Sequence, residues 1–395
     1  LVSSSAASDV YKRQLQGSGG GLNFLVEMID VHLPGEGHAL AAALMAGDPL
    51  SVTARMGYEL IDIARQAMSD PFTRDWLRRR KEGEELDWLE LPEENTFRIA
   101  FSEFLETYGH RGIYETYTRN ARWREQPNYL LDTLPELAET DLDTLAATRD
   151  VTAANARKRV MKALPWWKRP MLVGIIRDAK AGSNEREAAR SAMIAILEVA
   201  RQTLLGLGKR WVERSWLSEA DEIFYLMQPE IYATLNGVLS GESLVARVEG
   251  RKRLFEAFQA EEPPDVILLQ DGGITSEPQI KDIQGDQGDT FHGVPVGAGI
   301  AQGTVRLLQS PDEGGRLKKG DILVVPSTDP AWTPLFLKAG GLVMETGGYL
   351  SHGAIVAREF GIPAVVNLPG ILQQLVDGDR VEVDGNRGIV SAIKQ

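Results

Sequence analysis

The sequence predicts an α+β protein of several domains, a mainly α-helical part followed by a smaller C-terminal module of strands and helices. Three observations predict it. From Leu22 to about Ala260, apolar side chains recur at helical spacing. Near Glu261-Glu262-Pro263-Pro264 the composition shifts. Beyond Gly293 the chain turns Gly-rich and β-branched, with short apolar runs of buried-strand type. The 395 residues are 43% hydrophobic and 25% charged, an ordinary globular composition with ample material for buried cores.

Residues Leu1 to Gly21 show no helical or strand period, and no charged start leads into the apolar stretch of a signal peptide. Their Ser-rich start reads equally as translated adaptor sequence, with a native N-terminal region then missing, or as a flexible tail. Residues 1–21 are therefore set outside the fold. A helical domain of substrate-binding type is expected over 22–262. Ser51 to Ser69 is amphipathic through Val52, Met56, Leu60, Ile63 and Ala64, and Pro71 follows its end. Phe97, Phe101, Phe104, Leu105 and Tyr108 share a helical face; Asn95 suits the N-cap and Gly109 a left-handed residue past the end. A helix over Asp150–Leu164 precedes Pro165, which fits the first turn of the next. Asn184 and Glu187 have capping-box spacing at the head of a long helix ending at Ser215, and Ser243–Ala260 forms the last.

Residues 263–290, rich in Gly, Asp and Gln, read as a linker. In the module over 291–395, Val305 and Leu307 alternate in one strand. Asp321–Pro326, Leu342–Glu345 and Ala364–Val366 read as buried strands, and Val381, Val383, Ile389 and Val390 close a hairpin around Asp384-Gly385-Asn386. Helices fill Trp332–Lys338 and His352–Phe360.

A formal net charge of −13 argues against a nucleic-acid binder, which needs a basic face to displace counterions. Without cysteine, disulfides, thiolate catalysis and Cys-based metal sites are excluded. The densest apolar run, Ala39–Ala46, falls far short of a membrane span. A cytoplasmic protein with no membrane or nucleic-acid partner is the expectation.

One segment carries a specific chemical signal, Gly347 to Val366. A buried strand ends at Glu345, two glycines make a sharp turn, and His352 follows at an exposed helix start whose apolar face is Ile355, Val356 and Phe360. Free N–H groups and the helix dipole favour an anion there. A neutral imidazole, with an ordinary pKa of about 6.5, is a nucleophile able to carry a phosphoryl group. A bare G-G-x-x-S-H string more often marks a capping or core histidine after a glycine turn.

The longer segment, with A-I-V-A-R-E-x-G-I-P-A-V-V after the histidine, strongly resembles the phosphohistidine segment of the swivelling domain in phosphoenolpyruvate-utilising enzymes. The resemblance covers about Gly293 to Ile393 and includes Thr328-Asp329-Pro330-Ala331-Trp332-Thr333-Pro334. It implies a swivelling β/β/α domain with His352 as the phosphoryl carrier. Gly347, Gly348, Ser351 and Gly353 would lie near the phosphate, with Thr328, Thr333, Glu345 and Arg358 as supports. Leu350 and Gly353 depart from the dikinase and enzyme I pattern, which has Thr, Ser or Asn and then Ala or Thr there. Both are more like the rifampicin phosphotransferase branch. That branch places its swivelling domain after a helical substrate domain, the order met here. Tyr108–Gly112, Arg122–Pro127 and Asp221–Leu226 resemble it locally.

Arg186-Glu187-Ala188-Ala189-Arg190 resembles the family's R-E-x-x-K stretch, with Arg in the last place. At i, i+4, Arg186 and Arg190 present two guanidinium groups able to hold a phosphoryl group. The alternative is a solvated face with Glu185 and Glu187 as partners. The resemblance implies a dikinase-type phosphotransferase. His352 would take a phosphoryl group of ATP from an ATP-grasp domain, in cis or in trans, and pass it to a small-molecule acceptor, rifampicin-like or pyruvate-like. Nothing in the chain resembles an ATP-grasp domain. ATP and Mg²⁺ are expected there rather than here, and the chain alone is expected to be inactive. A separate phosphocarrier subunit and a non-catalytic substrate-binding relic are the alternatives.

Other residues carry weaker signals. His32 and His38 flank a Pro-Gly-Glu-Gly turn, His110 sits in Tyr-Gly-His-Arg-Gly, and no spacing suggests a protein metal site. Trp166-Trp167, beside Lys168-Arg169, is expected to be a buried corner rather than a membrane or substrate patch.

Overall fold

The computed structural model describes residues 20–47, 51–81, 84, 86–259, 268–270, 273–275 and 290–393. The expected tail and linker therefore fall almost wholly outside the described residues. Two short strands, β1 (Leu268–Gln270) and β2 (Gly273–Thr275), pair antiparallel within the linker range.

The helices are α1 (Gly20–Asp30), α2 (Gly37–Met45), α3 (Val52–Ser69), α4 (Pro71–Lys81), α5 (Thr96–Tyr108), α6 (Asn128–Leu137) and α7 (Leu142–Ala163). They continue with α8 (Arg169–Glu213), α9 (Gln228–Leu235) and α10 (Ser243–Gln259). Two start where the sequence places them: the Ser51 hydroxyl accepts from Ala54 N at 3.2 Å and the Asn95 amide oxygen from Arg98 N at 2.9 Å.

Other expectations are corrected. Helix α7 starts at Leu142, not Asp150, because Asp141 caps it through Thr144 N at 3.1 Å. Only Ala156 and Val160 of that helix are buried, so its first half leaves little apolar pattern to read. Helix α8 runs unbroken through Asn184, so the capping-box spacing marks no helix start. Packing of Ala179, Ser183 and Glu187, a buried i, i+4, i+8 row, overrides the local signal. Gly109 is right-handed, with φ −64°. It is needed there for space, since a Cβ would come within 2.2 Å of Leu105 O. Trp166 and Trp167 are exposed, at 78% and 60%, not buried. Among the described residues, α8 with the short turn before it is long and apolar enough to match a membrane span. Its most apolar window has mean hydropathy 1.2 and is 22% buried.

In the C-terminal module, β3 (Thr290–His292), β4 (Val294–Gly297), β5 (Ile300–Leu307), β6 (Ile322–Val325), β7 (Gly341–Met344), β8 (Ala364–Val366), β9 (Arg380–Asp384) and β10 (Ile389–Ala392) form one sheet. Its order is β3-β10-β9-β5-β6-β7-β8-β4. The central β5-β6-β7-β8 run is parallel, and the remaining pairs are antiparallel. Parallel neighbours need crossovers. Short α11 (Thr333–Phe336) connects β6 to β7, and α12 (His352–Phe360) connects β7 to β8.

The described residues form two compact units. One joins α1–α7, the first half of α8 and the sheet module. The other holds residues 114–122 and the chain from Ala192 through β2, around a core of Trp211, Leu217, Ile223, Leu226 and Leu244. In the first unit, Phe97, Leu105 and Leu134 of the helical layer share one core with Trp332, Phe336, Val356 and Phe360 of the sheet module. Gly57 of α3 allows this contact, since a Cβ there would lie 2.7 Å from the Phe360 ring. Helix α12 is thus buried along its whole length between sheet and helices, Arg358 and Glu359 included.

Candidate functional site

The loop Gly347–Ser351 leads from β7 into α12. Gly347 has φ +153°, and a Cβ there would meet Met344 Cε at 2.8 Å. Ser351 is the N-cap of α12, but its hydroxyl turns back and donates to Gly348 O at 2.7 Å. Gly353 is also a matter of space: a Cβ would stand 2.6 Å from Met344 Sδ and 2.7 Å from Thr328 Oγ1. Glu345 holds the far side of the turn, accepting from Gly370 N at 2.6 Å, and Arg358 Nη1 donates to Tyr349 O at 2.6 Å. Leu350, where the dikinase pattern has a hydroxyl or an amide, packs instead on the cluster of Leu22, Leu25 and Ala179.

His352 is not at an exposed helix start. It is 4% exposed, covered by the helical layer that packs on α12. Thr333 Oγ1 donates to Pro330 O at 2.8 Å and so meets His352 Nε2, at 3.3 Å, as an acceptor. That network assigns the proton to Nε2 and leaves the lone pair on Nδ1, which has no hydrogen bond. Nδ1 lies 4.0 Å from Glu187 Oε2. Burial holds the imidazole pKa well below its ordinary value, and Arg111, Arg190 and Arg186 push it the same way. The ring is therefore neutral, chiefly through burial, and the arginine charges acting on it would favour an anionic group bound to it.

Of the expected residues, Thr333 meets the His352 ring directly, Arg186 and Arg190 act on it through their charge, Gly347, Gly348 and Ser351 shape the turn before it, Gly353 packs against Thr328, and Glu345 and Arg358 bond to Gly370 N and Tyr349 O. The pair of arginines is no free solvated face, since Arg186 Nη2 donates to Leu350 O in the histidine loop.

Glu187 and Arg111 were not expected at the site. Glu187 is buried and accepts from Thr53 Oγ1 at 2.9 Å. Only its place in the arginine stretch hinted at it. Arg111 is fully buried, where two weak motifs pair: Trp123 N donates to Arg111 O at 2.8 Å and Arg124 N to Gly109 O at 3.1 Å. His110 meets Ser191 Oγ at 3.1 Å and His32 meets Lys168 Nζ at 3.1 Å. The Asp221–Leu226 motif belongs to the other unit, where Glu222 takes Ser218 N at 2.7 Å.

An open cavity of about 360 Å³ lies against the histidine loop, lined in part by Leu22, Asn23, Arg186, Leu350 and Ser351. Among the described residues, no three His, Asp or Glu side chains gather as a metal site. Chemically, the site offers a neutral nitrogen nucleophile, a buried carboxylate beside it and arginines for an anion.

Residues 317–388 match the family described as PEP-utilising enzyme, mobile domain, and residues 18–219 match the rifampicin phosphotransferase fourth domain. A rifampicin phosphotransferase of Streptomyces sviceus is 30% identical over 363 residues, 89% of this chain and 41% of that protein. One of Bacillus subtilis is 28% identical over the same shares of the two chains. A prodigiosin synthesizing transferase of Serratia marcescens is 30% identical over 306 residues, 76% of this chain and 34% of that protein. The chain spans about 41% of the length of the two phosphotransferases it matches.

Proposed function

The chain belongs to the rifampicin phosphotransferase family, with that family's fourth domain followed by a PEP-utilising mobile domain, and from this we propose that it is the carrier and acceptor-side portion of an ATP-dependent phosphotransferase. His352 receives a phosphoryl group from ATP on an ATP-grasp domain, in cis or in trans, and hands it to a hydroxyl-bearing small molecule. ATP and Mg²⁺ would be bound by that other domain. The observation that carries the reading is the state of His352: neutral, anchored through one nitrogen by Thr333, with the other nitrogen 4.0 Å from Glu187 and arginine charges acting on the ring.

In the transfer step an acceptor oxygen attacks phosphorus, and its proton passes to the Glu187 carboxylate. The P–N bond breaks as the P–O bond forms, and its electron pair returns to the ring nitrogen. Because the other nitrogen keeps its proton on Thr333, the imidazole leaves neutral. Arg186 and Arg190 stabilise the charge on the moving phosphoryl group. The cavity beside Leu350 and Ser351 borders the histidine loop and Arg186, and an acceptor would approach the loop from that side.

The test supplies the matching ATP-grasp domain in trans with ATP and Mg²⁺. One acid-labile, alkali-stable phosphoryl group should appear, absent in His352→Ala, and addition of rifampicin as a probe acceptor should discharge it if the acceptor is rifampicin-like. Labelling that survives His352→Ala, or an acid-stable ester on Ser351, refutes the carrier reading.

A further inference from the structure

The histidine loop is fastened to the helical layer by a contact that the chemistry above does not use. Tyr349, three residues before His352, stacks on His38 of α2 with ring centroids 4.6 Å apart and planes 17° from parallel. Its hydroxyl also hydrogen-bonds His38 Nδ1. We propose that Tyr349 and His38 form a latch that holds the carrier loop in its acceptor-side position, so that the pair sets how often His352 is uncovered.

Both halves are firmly mounted. On the carrier side, Arg358 of α12 grips Tyr349 O at 2.6 Å, so the tyrosine moves with the helix that begins at His352. Ser351 ties the turn together through Gly348 O. On the helical side, Asp30 Oδ1 accepts from Gly37 N at 2.7 Å and fixes the first turn of α2, where His38 stands. A Cβ at Gly37 would come 2.6 Å from the Asp30 carboxylate, so the close approach requires glycine. Burial lowers the His38 pKa, with Asp30 opposing, and burial raises that of Tyr349. At neutral pH a neutral imidazole thus meets a protonated phenol, the pairing in which Tyr Oη–H donates to Nδ1. Neither side chain meets His352 itself, so the pair acts as a positioning device.

The inference rests on the carrier reading, but its test needs no phosphoryl transfer. Diethyl pyrocarbonate modifies accessible neutral imidazoles, and peptide mass spectrometry reads each histidine of the whole chain separately. In the parent, His352 should react slowly. Tyr349→Phe keeps the ring and loses the hydroxyl, and His352 labelling should rise about fivefold, the population change of one hydrogen bond of ordinary net strength. His38→Ala loses the stack as well and should raise it further. The double variant should do no more than His38→Ala alone, because the two residues act as one unit. Labelling of His110, buried elsewhere in the same helical layer, should stay at the parent rate. His38→Asn repeats the test from the other partner if Tyr349→Phe fails to fold. Parent-like labelling of His352 in the single variants, strictly multiplicative effects in the double variant, or a matching rise at His110 would each overturn the latch. If the latch variants behave as expected while His352 accepts no phosphoryl group, the carrier reading fails and the latch stands.

Discussion

Glu187 and His352 face each other at 4.0 Å, carboxylate oxygen to ring nitrogen, and both are almost fully buried. A carboxylate at this place is able to take the proton that an acceptor hydroxyl must lose. Glu187→Gln keeps the shape and the bond from Thr53 Oγ1 but removes the proton acceptor. Charging of His352 should be unaffected, while transfer to the acceptor should slow by about 10²–10⁴-fold. Single-turnover discharge of phosphorylated protein measures it; discharge at the parent rate would leave Glu187 a merely structural carboxylate.

Arg190→Ala should also spare charging and slow discharge, by on the order of 10²-fold or more, because its charge acts where negative charge gathers in transfer. Arg186→Ala should cost more than that, since Arg186 also holds Leu350 O in the histidine loop. Equal effects of the two substitutions, read by the same discharge assay, would mean that the bond to the loop contributes nothing.

Glu359 provides a pH dependence with a definite sign. Burial pushes its carboxyl up to about 7, against the pull of Arg358, Arg149, Lys180 and Gly47 N–H. Between the ordinary carboxylate pKa and about 7, the folded protein holds a proton that the unfolded chain has lost. The stabilisation is present at low pH and disappears as pH rises through that window, by up to about 1.4 kcal/mol per pH unit. His352 works in the opposite sense, because its lowered pKa makes stability fall below about pH 6.5, where the unfolded imidazole protonates. Thermal melts from pH 5 to 8 should therefore be compared between parent and Glu359→Gln. Relative to Glu359→Gln, the parent should lose stability as pH rises to about 7 and then level off, and a pH-independent difference would contradict a buried, protonated Glu359.

Features set by neighbours in the chain were legible before the structure. The aromatic row Phe97–Tyr108 with its Asn95 cap, the β6 and β7 strands and the bounds of α12 all depend on local pattern, and they lie where expected. What depends on distant partners was not. The start of α8 was hidden because Ala179, Ser183 and Glu187 pack against other elements across a stretch that locally resembles a helix start. Glu187 beside two arginines looked like half of a surface ion pair, and only the approach of Thr53 and His352 shows its burial. His352 itself was identified from its motif, but its cover comes from the helical layer and leaves no mark in the residues around it. Gly353, a departure from the dikinase and enzyme I pattern, has its reason in Met344 and Thr328, which fill the space a side chain would need.

The shared core of the first unit has a thermodynamic corollary. Trp332, Phe336, Val356 and Phe360 belong to the carrier module, yet they are kept from water by Phe97, Leu105 and Leu134 of the helical layer and by the approach at Gly57. A module that left this bed would wet a broad greasy face, at about 25 cal/mol for each Å² exposed. Shuttling at catalytic rates then requires that the destination offer a face of similar oiliness, so that the two berths are nearly isoenergetic. If the module travels to an ATP-binding domain as proposed, that domain should present its own apolar cushion to α11 and α12, and the direction of traffic would be set by whether the histidine is charged.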